Sequence, residues 1–167
     1  MTATKIVSYL ANCFWLLVPV LVFNVIFTRQ LPPAYQVAVF WKDIPRSIAI
    51  PENLLRMVVM ILPVFMRLRV TTPGQKLGFG IYLAGLAIYF ASWAVLIVAP
   101  QCAWSTSAAG FMAPAYTPML WLGGIGLIGN ELLFAGLPLR PWIYWCLCAL
   151  FLLFHNLHAA TVYSSVH

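Results

Sequence analysis

Apolar residues run almost unbroken along most of this chain, and no alternation of period two is sustained. A hydrocarbon core takes about 20 helical residues to cross. Four runs reach that length: 6–27, 77–99, 116–137 and 141–162. Pro141 suits the first turn of the last one. A fifth run, 54–68, reads LLRMVVMILPVFMRL and holds Arg56, Pro63 and Arg67. It crosses only by borrowing 48–53 and letting Arg56 snorkel. Pro51 is placed to start it. Glu52 and Arg56, four apart, can pair on one helical face. Between the first run and this one, Pro32, Pro33 and Pro45 bracket a half-apolar stretch. Tyr35, Phe40 and Trp41 there read as interfacial anchors.

The pattern predicts an all-α polytopic membrane bundle, residues 1–167 forming one integral membrane domain. Five spans are preferred. The alternative is four spans with an interfacial or re-entrant helix at 48–69. The ten uncharged residues 57–66 have no polar face to leave in water, which favours crossing. With five spans, Lys5, Arg67, Arg69, Lys76 and Arg140 share one side, and Arg29, Lys42, Arg46 and Arg56 the other. Both span counts place residues 70–76 and Arg140 in the cytoplasm by the excess of positive charge there. The uncharged 100–117 stretch and the C-terminus then lie outside, most simply in a bacterial cytoplasmic (inner) membrane.

Composition narrows the function classes. Hydrophobic residues make up 63% of the chain and charged ones 7%, where a soluble domain carries about a quarter charged. That excludes a soluble enzyme. The net charge of +6 does not make a nucleic-acid reader, because the cations lie between apolar runs rather than on one polar face. The expected partners are the lipid bilayer and either another membrane protein or a second copy. Helices in lipid associate through small residues. Gly80, Ala84, Ala87, Ala91 and Ala94 form a smooth stripe, and Gly123, Gly124, Gly126 and Gly129 permit close approach in the next span.

Few residues could carry chemistry. Glu131 is the one acid inside a firm span, so it is a candidate for proton handling or ligand binding. Arg67, Arg69 or Arg140 could pair with it, and Asn130 adds hydrogen bonding. His155 and His158 (HNLH) share a helical stripe with Trp145 and Cys148. Treating 138–141 as a tight hairpin sets His155 level with Gly124 and His158 level with Trp121. Two imidazoles are too few for a tetrahedral metal site, so no cofactor is predicted; haem or a metal on His155 and His158 is the weaker alternative. The four cysteines, 13, 102, 146 and 148, form no CxxC. Asp43 and Glu52 read as surface charges satisfied by neighbouring cations.

In length, span number and aromatic content the chain resembles the tryptophan-rich sensory (translocator) proteins. The resemblance covers bulk features only. The Trp/Pro-dense signature of that family is missing from QLPPAYQVAVFWKDIP, so no site is carried over. Three functions are open. The first is an accessory or structural subunit of a membrane complex. The second is binding or transport of a small apolar solute through a cavity near Glu131 and His155. The third is an intramembrane redox or metal-dependent enzyme using His155 and His158. An enzyme is the least favoured.

Overall fold

The computed structural model describes residues 10–133 and 137–166. Lys5, the start of the first expected span and residues 134–136 of the fourth lie outside the described residues. The described chain is all-helical, without strands. A 3-10 turn at Cys13–Leu16 leads into α1 (Val18–Phe27). There follow α2 (Val37–Phe40), α3 (Arg46–Phe65), α4 (Pro73–Val98), α5 (Ala103–Thr106), α6 (Ala108–Tyr116), α7 (Pro118–Ile128) and α8 (Pro141–Val166).

Five helical segments are long and apolar enough to cross a membrane: Cys13–Gln30, Arg46–Phe65, Pro73–Val98, Ala108–Ile128 and Pro141–Val166. The second of these is the weak run of the sequence, now a continuous helix. It begins at Arg46 rather than at Pro51, so Pro51 and Glu52 lie inside it. The fourth is two helices in series. Pro118 has no N–H to continue the ladder, and the Thr117 hydroxyl donates back to the Ala113 carbonyl across the break. This kinked pair is the centre of the bundle: 67% of it is buried, against 17–33% of the others.

α4 and α7 make the most extensive contact, with α3 on α8 next. Glycine decides the first. A Cβ on Gly85 would stand 2.5 Å from the Trp121 amide nitrogen, and one on Gly124 would stand 2.6 Å from the Gly78 carbonyl and the Tyr82 amide nitrogen. The two backbones therefore touch, which is the close approach that drives association in lipid. Tyr82, on the same helix as Gly78 and Gly85, donates to the Leu16 carbonyl of the first turn, 2.8 Å. The expected stripe faces the other way. Gly80, Ala84, Ala87, Ala91 and Ala94 are all exposed, because the α4 face against α7 is Gly78, Tyr82, Gly85 and Tyr89.

At one end, which we call the Arg67 end, extended segments are knitted by their backbones. Cys13 N–H donates to Met66 O, Leu68 N–H to Ala11 O, Arg67 N–H to Glu131 O, and Leu139 N–H to Asn130 O. The hairpin before α8 is therefore not tight. α7 stops at Ile128, capped by Gly129, and an extended stretch follows. Trp145 reaches the Gly123 carbonyl and Asn156 the Ala115 carbonyl. That register is roughly ten residues from the one a tight turn would impose. Neither His155 with Gly124 nor His158 with Trp121 is level. The opposite end carries the 28–45 connection, α5 and the end of α8; we call it the Tyr35 end.

Candidate functional site

The residues marked out by sequence separate into two centres. Glu131 is not inside a helix. It lies in the extended stretch after Gly129, 26% exposed, with an oxygen 2.9 Å from Arg67 and the other 3.9 Å from Arg69. The Arg67 pairing matches expectation, while the intramembrane placement is corrected by the early end of α7. Asn130 accepts from Gln75 Nε2, 3.1 Å, and the same amide donates to the Ile128 carbonyl. Trp121 is buried in the core against Tyr89. Trp145 is half-exposed and donates to the Gly123 carbonyl. None of these four meets the histidines.

His155 and His158 meet Glu52 instead. Reading Glu52 as a surface charge is overturned: it is 0% exposed. Starting the helix at Pro51 put Glu52 in its first turn beside water, whereas the helix from Arg46 sets it six residues in, roughly 9 Å along the axis. α3 and α8 run antiparallel, so Glu52 comes level with the last turns of α8. His155 Nδ1 lies 2.9 Å from Glu52 Oε1, and His158 Nδ1 lies 2.6 Å from Oε2. Arg56, one turn along, donates to Oε1. The spacing of four on α3 and three on α8 turns all four side chains into one contact.

Aromatic rings close the site. Phe40 stacks on His158 with centroids 4.3 Å apart, and Trp41 meets the same imidazole edge-on at 4.5 Å. The Arg56 guanidinium lies 5.5 Å from Trp41 and 5.8 Å from Phe151. Phe151 also stacks on His155. Phe40 and Trp41, expected as interfacial anchors, therefore cap a buried ionic cluster. Tyr35 likewise points inward. Its ring stacks on Phe111 at 4.7 Å and its hydroxyl donates to the Phe111 carbonyl. Burial raises the pKa of that hydroxyl above its ordinary value, so it stays a donor at neutral pH.

Hydrogen-bond roles fix where the protons are. His158 Nε2 is 2.7 Å from the Phe40 carbonyl, which can only accept, so Nε2 carries a hydrogen. Arg56 donates to Oε1, which favours Oε2 for any proton on the carboxyl group and His155 as a donor from Nδ1. One proton then lies between His158 Nδ1 and Glu52 Oε2. Either the pair is imidazolium and carboxylate, or it is neutral imidazole and carboxylic acid. Without that proton two lone pairs would face each other at 2.6 Å. His155 Nε2 is the remaining free position, on a side chain 21% exposed. With His155 neutral, the cluster carries one net positive charge, that of Arg56.

Among the described residues, no group of three His, Cys, Asp or Glu side chains is arranged to hold a metal ion. Both Nδ1 atoms are spent on the carboxylate. Comparison of the chain with family models, curated proteins and solved structures gives no match.

Proposed function

We propose that the chain is an integral membrane protein in which the Glu52–His158 pair holds an exchangeable proton, within a small bundle that binds or carries a solute in step with protonation. Large apolar side chains exposed on every long helix support insertion, since water would penalise them and lipid does not. The observation that carries the proton reading is the pairing of a fully buried carboxylate with two imidazoles. A carboxylate kept for structure alone can be satisfied by arginine, as Glu131 is. Imidazole is the side chain that changes charge near neutral pH, and intramembrane acid–imidazole chains are the usual carriers of protons across bundles. We prefer this reading to the accessory subunit, which rested on the smooth alanine stripe, the short loops and a shortage of convergent polar groups; the Glu52 cluster removes the last of these, while the stripe is exposed. The solute-binding alternative survives with its centre moved from Glu131 to Glu52.

Nitrogen-15 NMR of histidine-labelled protein in nanodiscs tests it. One imidazole should show a protonated Nε2 and a strongly hydrogen-bonded Nδ1, and the histidine spectra should change over the range of about pH 5 to 8 in which imidazole exchanges its proton. In Glu52→Gln the Nδ1 signature should disappear. Spectra unchanged across that range would leave the cluster a static ion pair and end the proton reading.

In the orientation we propose, the Arg67 end faces the cytoplasm and the Tyr35 end, with the C-terminus, lies outside. Among the described residues, four cations (Arg67, Arg69, Lys76 and Arg140) lie at the Arg67 end against three (Arg29, Lys42 and Arg46) at the Tyr35 end, whose 100–117 stretch is uncharged. In a background without native cysteine, Ala103→Cys should react with an impermeant thiol reagent in intact cells, and Lys76→Cys only after lysis. The reverse pattern inverts the topology.

A further inference from the structure

A cleft of about 640 Å³ opens at the Tyr35 end, between the 28–45 connection and the turn from α4 to α6. Prolines hold its rims. Pro32, Pro33 and Pro100 line it; their fixed φ keeps both connections from collapsing onto each other. Its walls include Tyr35 and Phe111, and its polar groups are the amides of Gln30 and Gln101, with the hydroxyls of Ser105 and Thr106 behind them bonded to Cys102. None of the residues lining it is charged. A bound ion would find no counter-charge there, and an unpaired ion at a low-dielectric site is costly. An uncharged molecule with a flat apolar body and a hydrogen-bonding group fits both kinds of wall.

The same connection is the lid of the proton pair. Tyr35, in the cleft wall, stacks on Phe40 with centroids 6.1 Å apart, and the Phe40 carbonyl accepts from His158 Nε2. Loss of the shared proton leaves His158 with one N–H for two acceptors, Glu52 Oε2 and Phe40 O. One of these contacts must then open. The charged or titratable groups facing His158 are Glu52 and, through it, Arg56 from α3, and His155 from its own helix. Phe40, Trp41 and α6 bring no other into hydrogen-bond contact. The ionised carboxylate is the stronger acceptor and keeps the remaining N–H, so the Phe40 contact is the one that opens, and releasing the shared proton is linked to loosening the 37–41 turn.

We infer that the cleft is a binding site for an uncharged, hydrogen-bonding aromatic or alicyclic solute, and that its occupancy is felt at the Glu52–His158 pair through Tyr35 and Phe40. Only the second half rests on the proton reading above.

Four probes of one size separate the possibilities: benzamide, benzyl alcohol, benzoate and benzylammonium. Saturation-transfer NMR on nanodisc-embedded protein should show saturable binding of the two neutral probes and neither ion. Ala34→Trp fills the cleft and should abolish that binding. Gln101→Leu, at an exposed position, removes an amide and should weaken benzamide without affecting folding. Benzamide should also shift the His158 imidazole nitrogens in wild type and not in Ala34→Trp. Equal binding of the ions, no binding of either neutral probe, or binding indifferent to both substitutions overturns the site. Cleft-dependent binding with unmoved histidine signals overturns the coupling alone. The proton reading is judged separately, by the titration without any probe.

Discussion

Glu131 and Glu52 are identical side chains in one bundle, held in opposite ways. Glu131 lies at an end, a quarter exposed, against guanidiniums that are charged at every accessible pH. Its backbone carbonyl is bound by Arg67 N–H as well, so the segment stays in place whether or not the carboxylate does. Glu52 is dry, on a regular helix, and everything on its oxygens except Arg56 is an imidazole. Permanent charge at a wet edge gives a fastening whose strength barely depends on conditions. Titratable partners in a buried position give, on the reading proposed above, a contact whose hydrogen-bond roles change with one proton.

The largest effect that sharpens this contrast is Glu52→Ala. It strands Arg56 and two imidazoles, and breaking a buried ion cluster costs about 3–5 kcal/mol. The low end is expected, because Arg56 is 34% exposed and can turn to water. Glu131→Ala removes a half-screened pair and should cost roughly 1 kcal/mol or less, shrinking with added salt. Unfolding in mixed micelles measures both. Equal losses would erase the distinction between the two carboxylates. The smallest effect is expected on the outward face of α4. Ala87→Leu should change the stability of the monomer by no more than about 0.5 kcal/mol, whereas Gly85→Leu drives a side chain into the α7 backbone. A large loss in Ala87→Leu would show that the alanine stripe is covered by something in the native membrane.

The five long helices were legible because apolar length is a strong signal, and the Glu52–Arg56 pair because a spacing of four is local. The site was not legible, for two reasons. Starting α3 at Pro51 put Glu52 in its first turn, where nearby cations made it read as a satisfied surface charge; the helix begins five residues earlier, at Arg46. The Gly129-Asn130 pair, a common helix stop, was read through, which carried Glu131 into the span and shifted the depth of every α8 residue. The histidines stand out in the sequence only as a pair on one helical stripe. Their partner lies more than a hundred residues away on α3, and no spacing rule reaches that far. Small residues mark smooth faces, and α4 has two: the one with Gly78 and Gly85 meets α7, and the alanine stripe is exposed.

The kinked fourth span has a consequence for how the chain is made. It is the least apolar of the five and the most enclosed, so it is the segment least able to partition into lipid unaided. It leaves the ribosome after α4, whose Gly78–Gly85 face is already shaped to receive it. We expect translocon-mediated insertion of 108–128 to be inefficient in isolation and restored when 73–98 precedes it in the same nascent chain. A glycosylation-mapping assay in which the fourth segment inserts equally well alone would remove that dependence.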